Sequence, residues 1–396
     1  MYIKPASRLK EIRFSVMDTI ARAHEARKKG REILYLHIGD PLLFDFDTPG
    51  HLIETTYKAM LDRKTGYTET SGITDALEAV EKYSSGKGIK NINDIFITTG
   101  VSEAIDMSIA ALVDEGENIL VPVPCYPIYL TSLYKHGAFP NPYYLDESNN
   151  WQPDIEDIKE RINDKTRGIV IINPNNPTGS LYSDDTIKKV IDLALEHNLV
   201  IFSDEIYDRL LFDGKVHTSP ASMTDDATVV TFNGLSKSYL APGFRIGWLV
   251  VSGHEKTNRD YCEAIATFTR ARLCANHPEQ YAIKPALEGD QSHITSMVEK
   301  LQRRRDITVN MLNSIDGINC VAPNAAFYAF PELQFDIDDI DFVHGLIDET
   351  GVIPLHGSAF GQKKGTKHFR VVFLAQEEIL EKAYNIIGDY VAKIRK

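Results

Sequence analysis

The chain reads as an α/β protein: a large domain on a doubly wound, mostly parallel sheet, with a smaller α+β unit beside it. Three observations point there. Between about Asp94 and Val251, short runs that are apolar at every residue alternate with helical stretches. Such runs suit strands buried on both faces, whereas a sheet with one wet face alternates apolar and polar residues. From about Met297 to Lys396 the pattern changes to a charged helix followed by strand-like segments between helices. The length of 396 residues accommodates two such units.

Each element follows from local pattern. Residues 15–29 read as a helix with Val16, Ile20 and Ala23 on one side and Gly30 as its stop. Residues 33–38 form a short strand-like run ending at Gly39-Asp40-Pro41. Ile95-Phe96-Ile97 precedes a helix expected to start near Ser102, with Ser102 as its cap. Further strands are expected at 118–121, 168–172, 199–202, 228–230 and 246–251. A helix over 184–197 places Ile187, Val190, Ile191 and Ala194 on one face. Phe327-Tyr328-Ala329-Phe330 and Phe369-Arg370-Val371-Val372-Phe373 read as half-exposed strands. The expected division is 46–285 for the large domain, with 1–45 and 286–396 joining as the smaller one.

Lys and Arg number 43 against 56 Asp and Glu, a formal net charge of −13. So acidic a chain repels phosphate backbones and acidic lipids, which argues against nucleic acid or membrane as the main partner. An anion must then be held by a local arrangement of donors. Cys125, Cys262, Cys274 and Cys320 show no CxxC spacing and read as free thiols in a reducing compartment. The opening residues Met1-Tyr2-Ile3-Lys4-Pro5 lack the apolar core of a signal peptide. No apolar run approaches the ~18 residues that span a bilayer. The expected location is the cytoplasm. No spacing of His, Cys and acids suggests a metal centre.

Four blocks near strand ends carry chemistry-bearing residues. They are Asn173-Pro174-Asn175-Asn176-Pro177-Thr178-Gly179, Asp204-Glu205-Ile206-Tyr207, Asn233-Gly234-Leu235-Ser236-Lys237-Ser238 and Gly243-Phe244-Arg245-Ile246-Gly247-Trp248. Alone, each has an ordinary explanation: a turn, acids at a helix N-terminus, a solvated loop lysine, a strand-edge arginine. Arg245, flanked by apolar residues, needs an anionic partner if buried. Ligands in open α/β sheets gather at the strand ends where these blocks lie.

The order and spacing of these blocks resemble the class I/II aminotransferases among the fold-type I pyridoxal-phosphate enzymes. The resemblance runs from Gly39-Asp40-Pro41 to Phe369-Arg370. Within that family, Arg167-Gly168-Ile169-Val170-Ile171-Ile172-Asn173-Pro174, the segment from Thr231 to Lys237, and Arg272-Leu273-Cys274-Ala275-Asn276 are similar to the alanine (glutamate–pyruvate) aminotransferase branch.

The resemblance implies pyridoxal 5′-phosphate held as a Schiff base on Lys237. It implies that Asp204 pairs with the pyridine nitrogen and that Asn176 and Tyr207 hydrogen-bond the ring oxygen. Tyr126, in Pro124-Cys125-Tyr126-Pro127, matches the aromatic that stacks on the ring; core packing is its plainer explanation. The phosphate would meet Gly100, Val101 and Ser102 between a strand and a helix, with Ser236 and Arg245. Tyr67, in Thr65-Gly66-Tyr67-Thr68, matches a tyrosine reaching the phosphate from a second subunit, which implies a homodimer. Arg370 matches the arginine that grips the substrate α-carboxylate, a bidentate match for a guanidinium, and Gly39 would let its backbone approach the same group. His37 and His356 read as ordinary polar packing. One departure stands out: where many relatives carry a phosphate-binding serine three residues before the lysine, this chain has Gly234.

These features imply ping-pong transfer of an α-amino group between an L-amino acid and a 2-oxo acid, best matched to L-alanine with 2-oxoglutarate. The same chemistry on aspartate or aromatic amino acids is an alternative. So are a lyase or synthase on the same fold and a non-catalytic sensor retaining the domain.

Overall fold

The run of apolar segments becomes a single eight-stranded sheet in the computed structural model, which describes residues 3–12 and 16–395, without the side chains of residues 9, 11 and 16–18. A 3-10 turn at Ser7–Glu11 precedes the first α-helix of the chain, α1 (Val16–Lys28). There follow β1 (Ile92–Thr99), α2 (Val101–Ala110), β2 (Asn118–Val123), α3 (Ile128–Lys135), β3 (Phe139–Asp146) and β4 (Gln152–Pro153). Next come β5 (Thr166–Ile172), α4 (Asp184–Glu196), β6 (Val200–Asp204), β7 (Val229–Gly234) and β8 (Ile246–Ser252). The spatial order is β1-β8-β7-β6-β5-β2-β3-β4. Strands β7, β6, β5, β2 and β3 are parallel, and β8 runs antiparallel between β7 and β1.

The inner strands are buried along almost their whole length, every residue of β7 and β8 included. That is the outcome expected of uninterrupted apolar runs covered by helices on both faces. Helix α4 shows how the sequence sets one such cover. The Ser183 side chain accepts from the Thr186 N–H at 3.1 Å to cap it, and Ile187, Val190, Ile191 and Ala194 are all buried against the sheet side.

A second layered unit contains α5 (Ser292–Asn313), β9 (Tyr328–Ala329), α6 (Asp339–Thr350), β10 (Leu355–His356), β11 (Phe369–Val372) and α7 (Glu377–Ile394). Strand β11 lies between β9 and β10, antiparallel to both. Ala26, Leu34 and Leu36 from the start of the chain share a core with Leu346, Val352, Val371 and Tyr384. The strand expected over 33–38 shrinks to Leu34–Tyr35, paired in parallel with Val352–Ile353.

Several expectations need correction. Strands β9 and β11 are fully buried, not half-exposed. The polar positions that made them look amphipathic, Tyr328 and Arg370, face an internal cavity. The buried face of α1 is carried by Thr19 and Ala26 with Ala23 packed nearby, while Ile20 is exposed; the helix start at Ser15 and the Val16 side chain lie outside the described residues. Helix α2 begins at Val101 with Gly100 as its cap, so Ser102 does not cap it. Asp204 through Tyr207 leaves β6 into a turn and starts no helix. Strand β3 was not foreseen. The four cysteines are free, with Cys274 half-buried and the other three buried.

Candidate active site

Register brings the four blocks together. Ile172 at the end of β5 pairs with Asp204 at the end of β6, Asp204 with Phe232 on β7, Gly234 with Gly247, and Ile246 with Thr99. The C-terminal ends of β1, β2, β5, β6 and β7 therefore lie along one edge of the sheet. The loops that follow them meet Gly39 and Arg370 around a cavity of about 340 Å³.

Lys237 enters this cavity half-buried, and its Nζ donates to the Gly39 carbonyl at 2.8 Å. Burial lowers its pKa to about 8, with Arg370 and Arg245 adding to the fall and Asp40 opposing it. An amine so placed loses its proton at lower pH than an ordinary lysine, and the neutral form is the one a nucleophile or proton acceptor needs. Asp204 is 4% exposed. Burial raises its pKa to about 6, against the Tyr129 hydroxyl that donates to Oδ2 at 3.0 Å and the Ile206 N–H at Oδ1. Among the described residues it has no ion-pair partner. A buried acid in that state favours a cationic donor beside it.

Arg370 is the complementary case. It is 6% exposed, and among the described residues no acid pairs with it. Nη1 donates to Asn176 Oδ1 at 3.2 Å and Nη2 to the His37 carbonyl at 2.8 Å, while Nε has no partner among the described residues. The guanidinium is sandwiched between the Tyr328 and Phe360 rings, 4.8 and 4.5 Å from their centroids. It is thus fixed in orientation yet short of an anion. His37 serves through its carbonyl; burial, then Arg370, lowers its imidazole pKa to about 4, so the ring stays neutral. His356 is buried with Nδ1 2.7 Å from Ser358 Oγ, away from the cavity lining.

Another corner of the cavity gathers groups able to hold an anion. Gly100 has φ of 75°, and a Cβ there would lie 2.4 Å from Arg245 Nη2, so the guanidinium packs flat against the start of α2. Val101 and Ser102 in the first turn of α2, together with Ser236 and Arg245, line the cavity. Arg245 is exposed, so the buried-arginine argument for a protein partner does not apply.

Gly234 sits in β7 where a Cβ would lie 2.7 Å from the Ile246 carbonyl oxygen and 2.9 Å from Gly247 Cα, both backbone atoms. The serine of relatives therefore cannot be restored by one substitution. Gly234→Ser is expected to destabilise the fold by about 1–3 kcal/mol through overpacking, read as a lower melting temperature. An unchanged melting temperature would show that β7 and β8 part at no cost.

Lys237, Asp204, Tyr207, Asn176, Tyr126, Val101, Ser102, Ser236, Arg245, Gly39 and Arg370 thus share one cavity. Gly100 lies just behind it against Arg245. Tyr67 does not reach it and is 82% exposed. Two contributors escaped sequence reasoning. Tyr129, on α3 three residues after Tyr126, holds Asp204. Tyr328 hydrogen-bonds Tyr207, hydroxyl to hydroxyl, at 2.8 Å. Outside the cavity, the fold groups Glu147, Glu332 and His368, and separately Glu205, Asp208 and His217, with ligand atoms within 4.8 Å in each group. His368 is paired with Glu147, and the Lys87 ammonium bridges Glu205 and Asp208.

Comparison with known proteins shows what the whole chain is similar to. The sequence pattern of aminotransferase class I and II matches residues 31–387. A glutamate–pyruvate aminotransferase of Haemophilus influenzae is 37% identical over 377 residues, 93% of each chain. An alanine aminotransferase of Mycobacterium tuberculosis is 36% identical over 403 residues, covering 99% of this chain and 93% of its own. The structure of an alanine aminotransferase from Pyrococcus furiosus superposes with a TM-score of 0.95 at 36% identity, covering 98% of this chain and all of that one. With the family pattern spanning nearly its whole length, the chain belongs to the class I and II aminotransferases.

Proposed function

We propose that this aminotransferase uses pyridoxal 5′-phosphate and that its preferred reaction is L-alanine with 2-oxoglutarate, giving pyruvate and L-glutamate. One observation carries the reading. Among the described residues, a buried acid without an ion-pair partner and a buried guanidinium without an acid line the same cavity as a lysine of lowered pKa. A protonated pyridine ring beside Asp204 and a substrate carboxylate on Arg370 would complete both.

The residues fit the cofactor in other respects. Arg245, Ser102, Ser236 and the backbone of Gly100 and Val101 would hold its phosphate, and Tyr126 its ring face. Asn176, whose Oδ1 is taken by Arg370, has its amide N–H left to donate to the ring oxygen together with Tyr207. Gly39 would admit the substrate carboxylate close to Arg370. Bound there through Lys237, the cofactor supplies a sink for the electron pair left when the substrate's α-carbon loses its proton. The Lys237 amine, in the same cavity, would be the group to take that proton and return it.

The names of the relatives in Haemophilus influenzae, Mycobacterium tuberculosis and Pyrococcus furiosus support alanine as donor. A half-reaction screen of amino acids against the holoenzyme tests this. Alanine is expected to lead aspartate and aromatic donors by about tenfold or more, the scale on which a shaped pocket discriminates. A leading aspartate or aromatic donor would overturn the alanine assignment and leave the chemistry standing.

The reading extends to assembly. Ile53, Tyr57, Met60 and Leu61 are exposed on the helix Gly50–Leu61, as are Tyr67, Phe268 and Leu273. So many exposed apolar side chains favour a covered face. They support a homodimer in which Tyr67 reaches the partner's phosphate corner. A fully active monomer in light scattering would refute the shared site. The packing of Ala26, Leu34 and Leu36 with the C-terminal elements, in a core that also reaches Phe46 and Leu210, supports joining 1–45 with 286–396 beside 46–285. Among the described residues, no helix is long and apolar enough to cross a membrane.

A further inference from the structure

Tyr207 has a buried hydrogen-bonding partner at its hydroxyl. The Tyr207 and Tyr328 hydroxyl oxygens are 2.8 Å apart, both side chains are buried, and their rings meet edge to face at 5.6 Å. Either hydroxyl could donate on geometry alone. The surroundings break the tie. Tyr328 lies with its ring 4.8 Å from the Arg370 guanidinium, whose positive charge makes the nearby O–H the better donor. Burial raises the pKa of both phenols. At Tyr328 the Arg370 charge opposes that rise. The guanidinium beside the Tyr328 ring thus favours Tyr328 as the donor.

We propose that Tyr328 is a positioning residue: its hydroxyl donates to the Tyr207 oxygen and thereby turns the Tyr207 proton into the cavity, where it is a ready donor to the cofactor's ring oxygen. This rests on the reading that pyridoxal phosphate occupies the cavity. The contact is built into the backbone around it. A Cβ on Gly39 would lie 2.7 Å from the Tyr328 hydroxyl oxygen, so only glycine leaves that hydroxyl in place. The same Gly39 accepts from Lys237. Tyr328 arrives on β9 beside β11, the strand that carries Arg370, so the donor and the charge that sharpens it move as one piece. A hydroxyl that accepts on its oxygen donates more strongly through its proton.

Tyr328→Phe keeps the ring against Arg370 and removes only the hydroxyl. A donor on the ring oxygen favours its proton-free form, so weakening that donor makes the bound chromophore keep its proton to higher pH. The midpoint of the visible absorbance change of the resting holoenzyme, titrated without substrate, is expected to rise by about 0.5–1 pH unit, the scale of one hydrogen bond. Tyr207→Phe is expected to raise it further, and adding Tyr328→Phe to that variant should change nothing more, because Tyr328 acts only through Tyr207. An unshifted midpoint in Tyr328→Phe at normal cofactor content, or equal shifts in the presence and absence of Tyr207, would overturn the proposal. Absence of a visible band in the wild-type protein would instead overturn the cofactor reading beneath it.

Discussion

Lys237→Ala is expected to lower turnover by at least ~100-fold, the usual scale for a positioned acid–base group, and to abolish borohydride trapping of the cofactor. The residue follows β7 directly, on a short loop whose path is set by the Leu235 N–H donating to Ile246 and the Ala241 N–H to Leu235. Its ammonium form is disfavoured by burial, and its contact within the cavity is a neutral carbonyl. Lys87 behind the Asp204–Tyr207 turn is the contrasting case. Burial works to lower its pKa, but Asp208 and Glu205 outweigh that and hold it charged. A lysine committed to two carboxylates is no nucleophile. Borohydride reduction of the wild-type holoenzyme followed by peptide mapping should therefore label Lys237 alone. Label on Lys87 or any other lysine would remove the basis for every role assigned around the cavity.

Most parts of the site that can be read from the sequence follow a strand in the chain, Arg370 on β11 itself being the exception. Asp204, Lys237 and the loop from Asn173 to Gly179 each lie just after an apolar run, and parallel strands deliver their C-terminal ends to one edge. Tyr129 and Tyr328 were invisible for the opposite reason. Their partners lie 75 and 121 residues away, and nothing local distinguishes them from core aromatics.

The same cause produced the error over β9 and β11. Alternation reports which side of a strand is polar, and a cavity wall is polar for a different reason than a wet face is. Strand β3 was missed because Pro140, Asn141 and Pro142 interrupt its pattern. It pairs along its length with β2, but on its other side only Leu145 and Asp146 meet β4. Prolines, which lack a donor, are tolerated on such an open edge. The face of α1 is a matter of one step in phase: Thr19 and Ala26 are small and pack where Ile20 would have been the apolar choice.

Arg370→Lys is the second large effect, and it separates carboxylate recognition from a structural role. A structural arginine on β11 would have an acid or several carbonyls satisfying it, and its loss would cost stability first. Arg370 instead has one amide oxygen, one carbonyl and a free Nε, with its plane fixed between Tyr328 and Phe360. Lysine keeps the charge but offers a point instead of a fork, and it loses the planar stacking that orients the group. Amino-acid and oxo-acid substrates are expected to lose affinity together, by about 2–5 kcal/mol if their carboxylate is left buried and poorly paired. Cofactor content should be unchanged, because the anion corner at Gly100 and Arg245 and the acid at Asp204 lie elsewhere on the cavity wall. A simple amine donor, which has no carboxylate to lose, should react at close to its wild-type rate. Half-reaction rates for alanine and for such an amine, measured side by side in the variant, decide the matter. Equal losses for both, or unchanged alanine affinity, would show that the carboxylate is gripped by some other group.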